Sequence, residues 1–384
     1  MLKLKRILEI KTELLCKGVN LDERFIDKYK SKGIPFKEGR KGGAGPLGGR
    51  YFAFDDNKTI LNVPLWHNNK ETNFVLKNEK DGYFEIFDKS KNSVFVKLRL
   101  IPYPNYYKIT TTDDILMEKI ALIHGLDCLA TTIYQRCCYW ENGSKCQFCG
   151  IELSLARGDT IEEKTSKQLI EVINAVKIEG KFKHLLLTTG TTSSIDKGVL
   201  KYINILEDIK NKFPDIPIHV QIEAVDNLEY ISMLKEAGAD TIGIHIEILD
   251  DSIRKVICPG KSKTSYEVYE KNWIHALEIF GKDQVDSFIL IGFGEPTEEF
   301  WNKLEKMIKL GVIPHITPVR PVPQSKFKAP ICNPLILLNI FEYSAKLMKK
   351  FNVNPLNNKA GCVRCGACSG IIEAYRLITG NYWS

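Results

Sequence analysis

The sequence predicts an α/β protein: a partial, open parallel (β/α)6 barrel, preceded by an N-terminal α+β domain and followed by a cysteine-bearing C-terminal segment. Three observations predict it. From residue 121 to about 330, apolar strand-like runs alternate with amphipathic helical ones. Before residue 120 the runs are short, rich in Phe, Val, Ile and Tyr, and broken by turn residues. Of the eleven cysteines, seven fall in two clusters, at 137–149 and 362–368.

The chain starts with "MLKLKRILEIKTELLCKG", an amphipathic run carrying Glu9 and Glu13. It lacks the uninterrupted apolar centre and small-residue cleavage site of a signal peptide. It reads as an ordinary surface helix of a cytoplasmic protein. No apolar run of about 18 residues exists that would cross a membrane. Next comes "GRKGGAGPLGG" (39–49). Without a Gly-Lys-Ser/Thr ending or a following helix it reads as a flexible loop or lid, not a phosphate loop. "RYFAFD", "TILNVPLW", "FEIFD" and "SVFVKLRLI" then read as antiparallel strands. This first unit is placed at 1–120.

The second unit is placed at 121–330. Its strands are "CLATTIYQ", "HLLLTTG", "IPIHVQIEAV", "TIGIHIEI", "VDSFILIGFGE" and "IPHITPVRPV", with a helical run between each pair. Repeated units of this kind build a parallel sheet. Six in about 210 residues are too few for a closed eight-unit barrel, which takes about 250. Chemistry in such folds sits where loops leave the C-terminal ends of the strands, and the first cysteine cluster follows the first strand. The third unit, 331–384, holds one helix and then "AGCVRCGACSG".

Charge excludes some functions. The net charge of +7 is scattered among paired acids and bases, with no concentrated basic face for nucleic acid. Lys261, Lys263, Arg320 and Lys326 follow strands and are candidates to meet an anionic substrate, or are plain surface charges. Clustered cysteines in a reducing compartment point to metal or catalysis, and the odd total argues against full disulfide pairing. Cys16 and Cys128 read as buried thiols.

Cys146-Gln-Phe-Cys149 alone is compatible with zinc, thiol redox or iron–sulfur chemistry. Cys137 or Cys138 supplies a third thiolate. Three thiolates that leave one iron open are what an iron–sulfur centre needs to bind a substrate-like ligand.

These residues resemble the radical S-adenosylmethionine (SAM) superfamily, whose cysteine loop after the first barrel strand ends in Cys-x-aromatic-Cys; Phe148 fills the aromatic place. The usual first spacing is three intervening residues, whereas here it is eight from Cys137 or seven from Cys138. Cys137 is preferred because "QRC" directly ends the strand and the resemblance places a cysteine there. The resemblance continues along the barrel. Thr188–Gly190 stand where a Gly-Gly-Glu motif meets the amino end of SAM, although the Glu is absent. Glu223 ends the third strand, and Glu247 ends the fourth, where the family often places polar groups facing the ribose and the methionine carboxylate. Gly292 and Glu295, in "FILIGFGE", match the motif whose backbone contacts adenine. "GRKGGAGP", "KIALIHGLDCLATT", "CQFC", "LTTGT", "GADTIGIHIE" and "C-x2-CGAC" are similar to a radical-SAM family encoded beside nitrilase-type genes in bacteria, for which no reaction is assigned.

The resemblance implies a [4Fe-4S] cluster on Cys137, Cys146 and Cys149, SAM held by Thr189, Gly190, Glu223, Glu247, Gly292 and Glu295, and a ferredoxin or flavodoxin as electron donor. It implies reductive cleavage of SAM and hydrogen abstraction from a small molecule. Cys362, Cys365 and Cys368 have the C-x2-C-x2-C spacing that opens a ferredoxin-type run. They are expected to hold a second iron–sulfur cluster, most simply [4Fe-4S], with zinc as the rival. Its fourth ligand is left open between Cys332, Cys258, another side chain and a substrate. The alternatives are a radical sulfur-inserting enzyme or methyltransferase, and a zinc-stabilised binding protein without catalysis.

Overall fold

A computed structural model describes residues 2–381 except 22, 32–48, 57, 68, 181, 323–324 and 329–330. The glycine-rich 39–49 stretch therefore lies outside the described residues, apart from Gly49. Two seven-stranded sheets make up the framework. The first contains β1 (Val19–Leu21), β2 (Arg50–Ala53), β3 (Ile60–Val63), β4 (Leu65–His67), β5 (Phe74–Lys80), β6 (Tyr83–Asp88) and β7 (Ser93–Leu100). Its order is β3-β2-β7-β6-β5-β1-β4. It is mixed, not purely antiparallel as expected, because β1 pairs in parallel with both β4 and β5. The strands β1 and β5 escape a sequence reading: one has three residues, and the other is largely polar.

The second sheet is the partial barrel. It contains β8 (Leu122–His124), β9 (Cys128–Tyr134), β10 (His184–Thr189), β11 (Ile218–Ile222), β12 (Thr241–Ile244), β13 (Val285–Ile291) and β14 (Ile313–Pro318). The six expected strands run in parallel in sequence order, and β8 adds an antiparallel edge against β9. The crossover helices start where the sequence satisfies their first turns. Helix Ser166–Ile178 opens on a capping box between Thr165 and Gln168. Helix Glu298–Leu310 opens on Thr297, whose side chain accepts from the Phe300 N–H, and stops at left-handed Gly311.

Parallel strands are usually apolar on both faces. Here only the helix-facing side is. Leu129, Leu187, Val220, Ile242, Ile289 and Ile316 join the main core. The alternate positions Thr132, Thr188, Gln221, Phe288, His315 and Thr317 line a cavity inside the barrel.

The first helix, Leu2–Lys17, is not the surface helix its charge pattern suggests. Ile7, Ile10 and Leu14 join the core of the first sheet, while Leu8 and Cys16 join the barrel core. Between them Lys11 is fully buried. Its Nζ donates to Glu373 at 3.0 Å and to the Gly366 carbonyl at 2.8 Å, so the helix bridges the first sheet and the C-terminal cysteine loop. Among the described residues, no helix is long and apolar enough to cross a membrane.

Candidate active site

A cavity of about 290 Å³ runs through the partial barrel. At the C-terminal ends of the strands it is lined by Cys137, Cys146 and Cys149. Cys138 does not line it; its backbone N–H donates to the Thr191 carbonyl at 2.8 Å. Loop position is set by close backbone crossings. Gly190 ends β10, and a Cβ there would stand 1.8 Å from the Arg136 carbonyl oxygen, so only glycine lets the two loops cross. The Gln147 N–H donates to the Ile257 carbonyl and the Gly260 N–H to the Ser144 carbonyl, pinning the CxxC turn to the loop after helix Asp251–Ile257.

Thr189, Gly190, Glu223 and Glu247 line this same end. Glu223 accepts from Tyr139 at 2.9 Å, Thr191 at 3.0 Å and Lys197 at 3.3 Å. Glu247 has a left-handed backbone (φ 60°) and is held by Lys261 at 2.5 Å, while its other oxygen finds no partner among the described residues. Burial pushes the Glu247 carboxyl up, against the pull of Lys261. Burial works against the Lys261 ammonium, yet Glu247 and its neighbours hold it well above the usual lysine range. Gly292 and Glu295 do not reach the main cavity. They line a small pocket of about 30 Å³ with Asp250 and Phe293, next to the cavity, with Leu290 lining both.

At the opposite end, where the strands begin, the cavity is lined by Cys362, Cys365 and Cys368. The segment before them is laced to the strand starts. The Lys359 N–H donates to Gln284, the Thr241 hydroxyl to the Ala360 carbonyl, and the Gly361 N–H to His184. Gly361 lies flat on the His219 ring at φ 88°, where a Cβ would come within 2.4 Å of the imidazole. Cys362 and Cys365 pack on Cys128, Ala130 and Leu186 of β9 and β10. Asn62 of β3 closes the side, its N–H donating to the Ala367 carbonyl and its oxygens accepting from Arg320.

Burial pushes the Cys137 and Cys365 thiols up to about 12 and those of Cys149 and Cys368 to about 11. Thiols this reluctant to ionise hold a thiolate only against a cation. Cys332 and Cys258 do not line the cavity. Cys258 packs against Cys146, and Cys332 is buried beside Gly292. Of the four candidate cations, Lys261 and Arg320 line the cavity, whereas Lys263 and Lys326 do not.

Sequence reasoning missed Tyr139, His245 and His315, which also line the cavity. The signal was available: "IHVQIEA", "TIGIHIE" and "IPHITPV" place a polar residue at every second position of a parallel strand. A sheet covered by helices on one face shows that alternation when its other face encloses a polar chamber.

Residues 135–307 match the family model of the radical SAM superfamily. The chain is 35% identical over 125 residues to 5-amino-6-(D-ribitylamino)uracil–L-tyrosine 4-hydroxyphenyl transferase of Trichormus variabilis, covering 30% of this chain and 31% of that protein. It is 30% identical over 145 residues to the Methanothermobacter thermautotrophicus enzyme of that name, covering 35% and 37%. These matches span about a third of the relatives' length. A radical SAM methyltransferase structure from Sphaerobacter thermophilus aligns with TM-score 0.45 and 11% identity over 80% of this chain and 83% of that one. With its parallel strands in sequence order and its cysteine loop at the strand ends, the barrel segment 135–307 is a radical SAM superfamily domain.

Proposed function

We propose that the chain holds a SAM-binding [4Fe-4S] cluster on Cys137, Cys146 and Cys149 and a second iron–sulfur cluster on Cys362, Cys365 and Cys368, and acts on a small molecule enclosed between them. One observation carries this reading: both cysteine trios line a single cavity from opposite ends. The donor sets fit. An iron–sulfur cluster is held by cysteine thiolates, and each end of the cavity offers three cysteines.

When bound, the cluster and SAM supply one-electron cleavage of a C–S bond, giving a 5′-deoxyadenosyl radical that takes hydrogen from a substrate C–H. The protein binds and orients. Thr189 and Gly190 line the cavity where the amino end of SAM would sit. Glu223, clamped by Tyr139, Thr191 and Lys197, and Glu247, clamped by Lys261, face the cavity as fixed hydrogen-bond acceptors. Phe148, which lines the cavity, packs at a tilt against Phe293, and Phe293 against Phe327, an apolar backing for the CxxC turn. A ferredoxin or flavodoxin supplies the electron. The transferase names of the relatives favour group transfer as a second reading, in which the product gains a new bond.

Anaerobic reconstitution with SAM and dithionite, followed by mass analysis, tests the proposal. 5′-Deoxyadenosine and iron close to two cubanes per chain are expected. Accumulation of S-adenosylhomocysteine without 5′-deoxyadenosine would overturn it in favour of polar methyl transfer.

A further inference from the structure

The middle of the chamber, between the two trios, carries buried polar atoms for which the fold supplies no partner. His315 is buried and lines the cavity, and neither ring nitrogen has a hydrogen-bond partner among the described residues. The same is true of the Thr132 hydroxyl and of His245 Nε2. His245 Nδ1 accepts from the Phe288 N–H at 3.1 Å, which fixes the tautomer and leaves Nε2–H as a donor. The two imidazoles stand edge-on to Phe288, with ring centroids at 4.5 and 4.7 Å. They therefore flank one apolar ring, which itself lines the cavity.

Buried polar groups left unpaired destabilise a fold, and three that line one chamber, from β9, β14 and the end of β12, point to a ligand that completes them. Charge narrows the ligand. Thr132, Thr188, Gln221 and Thr317 are uncharged, and burial drives His315 down to about 3 and His245 well below its usual value, so both rings are neutral. The two carboxylates that line the cavity, Glu223 and Glu247, sit at the mouth and already have lysine partners. The two cations that line the cavity are engaged as well, Lys261 by Glu247 and Arg320 by the side chain and carbonyl of Asn62, so a charged ligand in the middle would lose its hydration for little counter-charge.

We infer that Thr132, His245 and His315 form the substrate-recognition wall of the chamber, and that the substrate is an uncharged molecule presenting both hydrogen-bond donors and acceptors around a flat apolar face. This rests on the reading of the cavity as the reaction chamber. Its test needs no turnover, so the two fail separately: 5′-deoxyadenosine formation judges the chemistry, and binding and melting judge the wall.

Two measurements on the reconstituted full-length chain decide it. Saturation-transfer NMR uses uracil as the neutral donor–acceptor probe, with malonate and putrescine as charged ones. Transfer to uracil alone is expected, lost in His245→Phe and His315→Phe. Thermal unfolding without probe should show His315→Phe and Thr132→Val melting above wild type by about 1–2 °C, since each replaces an unpaired polar group by an apolar one of similar shape. Transfer to malonate or putrescine at least equal to that to uracil, no transfer to uracil, or a fall in melting temperature in both variants, would overturn the proposal.

Discussion

The two ends of the cavity hold their cysteines by different means. The upper trio, Cys137, Cys146 and Cys149, is spread along a loop with eight residues between its first two members, and its shape comes from neighbouring loops. The lower trio, Cys362, Cys365 and Cys368, comes from seven consecutive residues, with Cys362–Cys365 forming a single helical turn. That compact turn is then fastened to the rest of the molecule through Lys359, Ala360, Gly361, Asn62 and Lys11. The contrast teaches that a cysteine loop can carry its geometry in its own spacing or borrow it from the strands it crosses. A borrowed loop is open to departures from a standard motif, as the long first spacing here illustrates.

The largest expected effect breaks the comparison at its root. Cys137→Ala, Cys146→Ala and Cys149→Ala should each abolish the upper cluster, seen as loss of iron and of 5′-deoxyadenosine, because one missing anionic ligand of three leaves the irons uncompensated. Cys138→Ala should retain both. Loss in the Cys138 variant with retention in the Cys137 variant would reverse the ligand assignment.

A second test asks how far the lower trio depends on remote residues. Lys11→Met leaves Glu373 buried without its cation and should destabilise the chain by about 3–5 kcal/mol in guanidinium unfolding. The double variant Lys11→Met/Glu373→Leu should recover most of that. If the single variant were neutral, the anchoring of the Gly366 loop by the first helix would be disproved.

pH sharpens the same contrast. His219, beneath Gly361, and His315 are held down to about 3 by burial, against an ordinary value of 6.5. The unfolded chain takes up these protons below pH 6.5 and the native chain does not. Their contribution is therefore present above pH 6.5 and lost as pH falls towards 3, at about 1.4 kcal/mol per pH unit for each histidine. Unfolding midpoints between pH 6.5 and 5 should show the fall, and His219→Phe should make it shallower; an unchanged slope in that variant would exclude His219.

The smallest effect is electronic. Gln221 Nε2 donates to Cys362 Sγ at 3.7 Å. If Cys362 holds the proposed lower cluster, Gln221→Leu removes a donor to its sulfur and should lower that cluster's reduction potential in a redox titration, leaving the upper one unmoved. A shift in the upper cluster alone would contradict the arrangement.

How much was legible varied with the range of the interaction. The six barrel strands and the helices between them were readable because each carries its own periodicity over four or more residues, or is bounded by caps such as Thr165 and Gly311. The edge strand β8 and the parallel pairing of β1 were not, because three-residue strands have no periodicity to read. Thr189, Gly190, Glu223 and Glu247 reach the cavity because each ends a strand, a position visible in the chain. Gly292 and Glu295 also follow a strand, yet the positive φ of Gly292 (123°) and Gly294 (131°) carries their loop into the neighbouring pocket. Backbone turns of that kind depend on what packs beside them.

The sequence by itself determined the parallel half-barrel, the cysteine loop at its mouth and the composition of the second trio, since strand period, helix caps and C-x2-C spacing are local properties of the chain. Only the tertiary structure decided that Cys137 and not Cys138 lines the cavity, that the second trio closes the far end of the same barrel, and that the first helix runs through the interior. Those outcomes rest on contacts between residues far apart in sequence: Lys11 with Glu373, Gly361 with His219, Gly190 with Arg136. Which of two adjacent cysteines points inward, and whether a charged helix faces water or a buried carboxylate, depends on what the rest of the chain brings alongside, and no local pattern carries that information.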